Sequence, residues 1–462
     1  MSKTGILALA RPTFDVEYAQ ANFQKMLAAL ERSGVDTIGP KTLLMDGAQA
    51  DAAIGELSEK NPDRILILQV TFTDAAMVVE VANRFDLPLS IWSIPEPRIG
   101  GRLRLNSFCG LNLAGHALGL AGREFGYLYS APDAADIDKV LVELLSGERN
   151  SKPVQLAKAR DSNGTGKAAV EALRGAKIGR IGAHPVGFDT CAYDKNKLQS
   201  LAEISVDELE LPELFDRAGQ VSDEAASVIR NETENVLGGL GEVDQSQLSR
   251  SLKLKNAIDA IKSDGDYDAF AIRCWPETFT EYGGAVCGPV SMMGEARVPC
   301  ACEADVYGAL TSLLLQKVAD APAFLTDLVD LDIADDTGVV WHCGQAPISM
   351  ADPDVAPHAT IHTNRKMPLL FEFPLKPGRV TIFRISQARG QTFAVIGGGE
   401  MLQRPMAFTG TSGVVRFDSG AAAVLDKILG AALEHHMAIA YGDHREPLQS
   451  AASALGVPVL EL

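Results

Sequence analysis

The sequence predicts an α/β protein with two doubly wound parallel-sheet domains, followed by a C-terminal antiparallel β-rich barrel or sandwich. Over the first two thirds of the chain, apolar strand-like runs alternate with helix-like runs, which is typical of parallel sheets covered by helices. After about residue 335 the apolar runs become short and are separated by Gly and Pro, which is typical of antiparallel strands. A chain of 462 residues also exceeds what a single hydrophobic core usually serves.

The first predicted domain covers residues 1–165. Its expected strands are 6–10, 64–69 and 89–92, and its expected helices are 18–33, 75–85 and 111–125. The polar stretch 147–167 ends in Asp-Ser-Asn-Gly-Thr-Gly-Lys and indicates a connection between domains.

The second predicted domain covers residues 166–335 and the third covers 336–462. In the second we expect strands at 177–183 and 269–273 and helices at 223–237, 246–264 and 306–318. In the third we expect strands at 339–343, 370–373, 379–386, 391–397 and 413–417, then a helix at 421–435, a strand at 437–441, and a last helix and strand.

The composition narrows the classes of partner. Lys and Arg number 42 against 60 Asp and Glu, a net charge of −18, which argues against nucleic acid or an anionic membrane as a partner. No segment approaches the roughly 20 apolar residues that span a bilayer. The seven cysteines lack Cys-x-x-Cys spacing and fit small buried packing residues in a reducing compartment. We therefore expect a soluble, cytoplasmic protein.

Carboxylates follow two neighbouring predicted strands. Glu277 and Glu281 come after the strand at 269–273, and Glu303 and Asp305 come just before the helix at 306–318. Because the carboxyl ends of adjacent parallel strands face one crevice, these side chains can converge. Clustered carboxylates repel one another unless a cation lies among them, so a divalent metal ion is expected. Solvated acids at helix starts are the alternative interpretation.

A histidine pair supplies a further ligand type. His435 and His436 lie at the end of the predicted helix 421–435, before a buried strand. One imidazole with two or three carboxylates suits Mn²⁺, Co²⁺ or Mg²⁺ better than Zn²⁺. A structural role at a helix end is the alternative.

Two segments resemble the L-fucose isomerases and the wider fucose/arabinose isomerase-like family. They are Ala-Cys-Glu-Ala-Asp-Val-Tyr-Gly-Ala-Leu, which contains Asp305, and His-Met-Ala-Ile-Ala-Tyr-Gly-Asp, which begins at His436. The resemblance implies that Asp305 and His436 bind Mn²⁺ together with one Glu. Glu277 is favoured for that Glu, Glu281 is the alternative, and Glu303 is expected to support the ligands. The resemblance also implies a homo-oligomer, either a trimer or a hexamer.

The resemblance implies an aldose-ketose isomerase that acts on an open-chain sugar through a cis-enediol. In this chemistry the cation polarises O1 and O2, while a carboxylate, here Glu277 or Asp305, moves a proton between C2 and C1. No nicotinamide is needed, and the Gly-Gly-Gly-Glu segment at 397–400 lacks the βαβ context of a dinucleotide site.

An arginine-containing loop bears on the substrate. Arg98, Arg102 and Arg104 lie in a Gly-containing loop of an otherwise acidic chain. Such a loop can bind a sulfonate, carboxylate or phosphate, which makes a sulfonated hexose a plausible substrate. Surface ion pairing or a subunit contact is an equal alternative.

Three further residues follow predicted strands and are candidates for contacting the sugar: His184, His342 and Trp275. Structural roles are the alternative for each of them. Two other functions remain open at this point. One is a non-catalytic sugar-binding protein, and the other is an aldolase or dehydratase that uses the same scaffold.

Overall fold

The computed structural model describes residues 2–161 and 164–462 and contains two parallel sheets and one largely antiparallel sheet. Residues 162 and 163, in the predicted connection between domains, lie outside the described residues. None of the helices in the described part of the chain is long and apolar enough to cross a membrane.

The first sheet is parallel and is covered on both faces. Its strands are β1 (Thr4–Leu9), β2 (Thr37–Ile38), β3 (Leu43–Leu44), β4 (Arg64–Gln69), β5 (Leu89–Ser93) and β6 (Gly126–Tyr129). Its helices are α1 (Val16–Arg32), α2 (Gly47–Glu59), α3 (Ala76–Arg84), α4 (Ser107–Leu120) and α5 (Ile137–Ser146). Alternate residues of β1 belong to different cores, with Ile6 and Ala8 in one and Leu7 and Leu9 in the other. This alternation explains why strands buried on both faces are apolar throughout.

The second sheet is also parallel, with the strand order β10-β9-β7-β8. Its strands are β7 (Lys177–Ile181), β8 (Ser205–Leu209), β9 (Ala269–Ile272) and β10 (Cys300–Cys302). The helices of this part are α6 (Gly164–Glu171), α7 (Lys195–Ala202), α8 (Leu211–Gln220), α9 (Asp223–Glu234), α10 (Gln245–Gly265), α11 (Cys287–Glu295) and α12 (Val306–Ala319). As expected, β9 and β10 are neighbours, so the residues after them emerge at the same edge.

The third sheet has nine strands and closes on itself. Its strands are β11 (Phe324–Asp332), β12 (Thr337–His342), β13 (His358–Thr360), β14 (Leu370–Pro374), β15 (Gly378–Ser386), β16 (Phe393–Leu402), β17 (Thr411–Phe417), β18 (His436–Tyr441) and β19 (Val459–Glu461). The helices α13 (Ala421–Ala431) and α14 (Arg445–Ala454) complete this part. Because β17 pairs with both β12 and β16, the strands β17, β12, β11, β18, β15 and β16 form a closed antiparallel ring.

Two local predictions differ from the structure. The strand β11 lies before the predicted boundary at 335 yet pairs within the third sheet. We missed it because three aspartates interrupt its apolar sequence. The predicted helix 421–435 ends at Ala431, where Ala432 adopts a left-handed φ of 57°, so His435 lies outside the helix and His436 begins β18.

A buried ion pair joins the second part of the chain to the barrel. Asp305, the residue before α12, accepts hydrogen bonds from Arg384 of β15, at 2.6 Å to Oδ2 and 3.1 Å to Oδ1. Both side chains are only 1% exposed. The Asp305 carboxylate also caps α12 by accepting a hydrogen bond from the Gly308 amide at 2.8 Å.

Replacing Arg384 tests how much this contact contributes. We expect Arg384→Met to lower the free energy of unfolding by about 3 to 5 kcal/mol, because it leaves the Asp305 carboxylate buried without its counter-ion. Urea denaturation followed by circular dichroism measures the change. Arg416→Met, an exposed position on β17, is the matched control. Equal denaturation midpoints for the two variants would contradict the expectation.

Candidate active site

A cavity of about 350 Å³ lies where the three parts of the chain meet. It is within the size range of small-molecule sites. Side chains of the N-terminal part, the second α/β part and the barrel all line it, among them Arg11, Phe72, Trp275, Glu303, Asp327, His342 and His435.

Glu303 reaches this cavity through a strained turn. After β10, Glu303 and Ala304 adopt left-handed φ values of 60° and 57°, which non-glycine residues rarely adopt. The Trp275 indole donates to Glu303 Oε1 at 3.0 Å, and His435 Nε2 lies 2.9 Å from Oε2. Burial opposes ionisation of Glu303, but the contacts with His435, His436 and Trp275 outweigh it and lower the pKa of this carboxyl.

Three adjacent barrel strands supply the other side of the site. The antiparallel pairing places Asp327 of β11 directly opposite His436 of β18, and His342 ends the neighbouring strand β12. His436 Nε2 lies 3.4 Å from Asp327 Oδ1 and 3.8 Å from Glu303 Oε2. The sheet register therefore brings together Asp327 and His436, which are distant in sequence, and Glu303 approaches them from the turn after β10.

Asp305 orients the His436 ring. Its Oδ2 lies 2.9 Å from His436 Nδ1, while Arg384 holds both of its oxygens. Burial alone would raise the pKa of Asp305, but the Arg384 charge and the His436 contact lower it well below its usual range. The ionised carboxylate accepts the Nδ1 proton, and in the neutral imidazole this leaves the Nε2 lone pair directed toward Asp327 and Glu303. Metal-binding histidines are commonly oriented by a carboxylate in this way.

The His342 ring is also held in place, but with its proton on the other nitrogen. The Cys343 amide donates to His342 Nδ1 at 2.8 Å, so the ring proton of the neutral imidazole lies on Nε2. Burial lowers the pKa of His342 to about 4, which keeps the ring neutral. His342 therefore presents a hydrogen-bond donor, not a lone pair, on its Nε2.

Several buried polar atoms among the described residues make no hydrogen bond to the protein. Among the described residues, Asp327 Oδ1, His342 Nε2 and His435 Nδ1 make no hydrogen bond. Potential ligand atoms of Glu303, His435 and His436 lie within 4.8 Å of one another, as do those of Asp327, His342 and His436. Two carboxylates and an imidazole with unused lone pairs are a suitable donor set for Mn²⁺, Co²⁺ or Mg²⁺.

Asp305 lies behind this group and does not line the cavity. Potential ligand atoms of Asp305, Cys191 and His436 also lie within 4.8 Å of one another. However, the two oxygens of Asp305 already interact with Arg384, His436 and the Gly308 amide. We expected Asp305 to bind the metal and Glu303 to support the ligands. In the structure Glu303 faces the cavity, and Asp305 contacts His436 from behind it.

Glu277 and Glu281 lie outside the group. The carboxylate of Glu277 forms a two-pronged ion pair with Arg273, at 2.7 Å and 2.5 Å, and neither Glu277 nor Glu281 lines the cavity. Glu281 is exposed, within the short helical segment Thr278–Tyr282. The segment after β9 therefore contributes Trp275 to the cavity but no carboxylate, and the carboxylate beside the cavity comes from the end of β10 instead.

The predicted arginine loop is largely occupied by internal contacts. Arg98 pairs with Asp330 at 2.6 Å, and Arg104 pairs with Asp15 at 2.9 Å and lies over the Tyr18 ring. Arg102 donates to the Thr13 carbonyl at 3.1 Å and to Asn364 Oδ1 at 3.3 Å. These three side chains do not line the cavity, although Thr13 and Asn364 do.

The other three candidates for contacting the sugar differ in their position relative to the cavity. Trp275 and His342 line the cavity, whereas His184 is half-buried and does not. Burial lowers the pKa of His184.

Sequence reasoning did not assign roles to Asp327 and His435. The signal for Asp327 was an aspartate inside an otherwise apolar run, where a buried charge needs a partner. The cysteines also differ from expectation, because a disulfide joins Cys274 to Cys302 beside the cavity, with their Cα atoms 5.8 Å apart. The prediction that these two cysteines are reduced packing residues is therefore wrong.

Comparisons with known proteins identify the family of the chain. Residues 5–148 match the family model for the N-terminal domain of fucose/sulfoquinovose isomerase, and residues 340–462 match that for the C-terminal domain of L-fucose isomerase. The chain is 30% identical over 451 residues to the sulfoquinovose isomerase of Priestia aryabhattai, covering 97% of each chain. It is also 30% identical over 454 residues to that of Clostridium sp. (strain MSTE9), covering 97% of this chain and 96% of the relative.

A third relative, the sulfoquinovose isomerase of Alkalicoccus urumqiensis, is 28% identical over 457 residues and is matched over 98% of its length, with 99% of this chain. Together the fold, the site and these matches define an aldose-ketose isomerase. The chain belongs to the fucose/sulfoquinovose isomerase family, as its two motifs indicated.

A glycine in α12 tests the Asp305 arrangement. A Cβ atom at Gly308 would lie 2.5 Å from Asp305 Oδ2 and 2.9 Å from Leu325 Cδ2. We expect Gly308→Ala to reduce stability by about 1 to 3 kcal/mol and to reduce isomerase activity, because the carboxylate must move away from His436. Differential scanning fluorimetry and a sugar isomerisation assay measure the two effects.

Gly55→Ala is the control for this experiment. Gly55 also lies in a helix, but a Cβ there meets nothing within 4 Å, so this change should stabilise the chain by about 0.5 to 1 kcal/mol. A Gly308→Ala variant as stable and as active as the wild type would contradict the role of Asp305.

Proposed function

We propose that the protein interconverts an aldose and a ketose that carry a sulfonate group, using a divalent cation held by Glu303, Asp327 and His436. The main observation in support is the convergence of His436 Nε2 on Asp327 and Glu303 while Asp305 occupies Nδ1. The sulfonated substrate is suggested by the relatives, which are named sulfoquinovose isomerases.

His436 is a better candidate ligand than His435. The Nδ1 atom of His435 is buried and unpaired in the described structure, whereas that of His436 has a carboxylate partner. An imidazole whose second nitrogen is held in this way is both oriented and more basic. Mn²⁺ is the preferred ion, with Co²⁺ or Mg²⁺ as alternatives, and no nicotinamide takes part.

The chemistry requires a proton to move between C2 and C1 of the open-chain sugar. A bound divalent cation would polarise the sugar carbonyl and the neighbouring hydroxyl. Glu303 is the proposed proton carrier, because Trp275 and His435 fix its position while each of its oxygens retains a second lone pair. His342 would donate a hydrogen bond from its Nε2–H to a sugar oxygen, and Trp275 would provide an apolar wall.

Two earlier expectations remain predictions. The homo-oligomer, trimer or hexamer, can be tested by size-exclusion chromatography with light scattering. The cytoplasmic location can be tested by cell fractionation.

The reaction itself is tested with sulfoquinovose in D₂O, followed by NMR. We expect an isomeric ketose with an intact carbon skeleton and with deuterium at no carbon other than C1 and C2. Treatment with EDTA should abolish the reaction, and Mn²⁺ should restore it. Cleaved or dehydrated products, or full activity after metal removal, would contradict the proposal.

Substitution of the proposed ligands distinguishes two assignments of the metal-binding carboxylates. One is Glu303 with Asp327, and the other is the Glu277 or Glu281 predicted from the sequence. We expect Glu303→Gln, Asp327→Asn and His436→Ala to lose bound Mn²⁺, measured by mass spectrometry of the metal, and to lower kcat by at least about 10³-fold. Glu277→Gln and Glu281→Gln are the comparison variants. If Glu277→Gln loses the metal while Glu303→Gln retains it, the assignment made from the sequence is correct and the present one is wrong.

A further inference from the structure

One cation in the cavity lacks a counter-ion. The side chain of Arg365 lines the cavity and is half-buried. Among residues 2–161 and 164–462, no other side chain forms an ion pair or a hydrogen bond with its guanidinium. A half-buried charge without a partner is unfavourable, so a ligand that supplies a negative charge would stabilise it.

The loop that carries Arg365 is held rigidly. His362 Nδ1 accepts hydrogen bonds from the amides of Asn364 and Arg365, both at 3.2 Å. The Lys366 amide donates to the His362 carbonyl at 2.7 Å, and Arg102 holds the Asn364 side chain. The Arg365 backbone is therefore positioned before any ligand arrives, which reduces the entropy cost of binding.

The position of Arg365 relative to Glu303 suits a ligand with two ends. The Arg365 guanidinium carbon lies 5.6 Å from the centre of the Trp275 ring, and the same indole donates to Glu303. One tryptophan side chain thus separates the cation from the proposed proton carrier. An open-chain hexose that reacts at C1 and C2 could extend its far end along this indole toward Arg365.

The neighbouring charges leave Arg365 as the cation available to an anion. Arg11 also lines the cavity but pairs with Asp74, and the nearby Asp46 carboxylate caps α2 by accepting from the Gln49 amide at 2.8 Å. Burial, and after it the charge of Arg11, lower the pKa of Arg365, so the two guanidinium groups act on each other. An anion bound at Arg365 would relieve this repulsion.

We propose that Arg365 forms an anion subsite that receives the sulfonate at the far end of the sugar. This inference rests on the proposed function, because it assigns the charged group of that substrate to a place in the same cavity. Arg98 and Arg104, which the sequence suggested for this role, are already paired with aspartates. Arg102 acts indirectly by holding Asn364 in the Arg365 loop.

The test compares a sulfonated aldose with the neutral 6-deoxy aldose of the same stereochemistry. We expect Arg365→Gln to lower kcat/KM for the sulfonated sugar by about 100-fold, because a buried charge-assisted contact is lost. For the neutral sugar we expect a change of less than about threefold. Arg365→Lys should recover part of the loss, since it keeps the charge without the planar geometry. Bound Mn²⁺ and the melting temperature should be unchanged.

The matched control is Lys366→Gln. It removes the same charge from the same loop, but Lys366 is exposed and does not line the cavity. If Arg365→Gln affects both sugars equally, or if Lys366→Gln lowers the preference for the sulfonated sugar as much as Arg365→Gln does, the subsite is wrong.

Calorimetric titration of wild type and Arg365→Gln with the same two sugars separates this inference from the proposed function. Wild-type binding of the sulfonated sugar without turnover would contradict the proposed reaction alone. Equal affinity of wild type and Arg365→Gln for that sugar would overturn the subsite whether or not turnover occurs.

Discussion

The contact on which the site depends is the buried Asp305 carboxylate shared by three elements. It caps α12, pairs with Arg384 of β15 and accepts the Nδ1 proton of His436 at the start of β18. Each partner alone would leave a buried carboxylate incompletely compensated, and together they keep it ionised. Because the three partners come from different elements, the same contact fixes how the second α/β part meets the barrel and which nitrogen of His436 is directed toward Asp327 and Glu303.

The two acidic residues of the Glu-x-Asp motif therefore have different tasks. Asp305 is held by a guanidinium and an imidazole behind the cavity wall, whereas the left-handed backbone at Glu303 and Ala304 turns Glu303 into the cavity. Strain of this kind persists only where the surroundings determine the conformation strongly. Here the hydrogen bonds from Trp275 and His435 hold Glu303, and the cap on α12 holds Asp305, so the backbone is fixed on both sides of the turn.

The sequence predicted the features that depend on local patterns. The alternation of apolar strands and helices indicated both parallel sheets, and the ends of β9 and β10 lie side by side as expected. It could not predict which carboxylate faces the cavity, because that depends on the Arg273 pair at Glu277 and on the turn at Glu303. Asp327 was missed because its role depends on pairing between β11 and β18, residues more than a hundred positions apart.

The division of the cavity among three parts of the chain has a consequence for specificity. The groups suited to proton transfer and metal binding come from β10 and the barrel strands, whereas Arg365 comes from a loop that Arg102 of the N-terminal part helps to hold. Binding energy gained at the far end of a substrate can be used to position its reacting carbons. Changes in the loop or in its N-terminal support could therefore alter which sugar is accepted without disturbing the Asp305 contact. With the proposed assignments, this separation would let the same metal-binding and proton-transfer groups serve sugars that differ at their unreactive end.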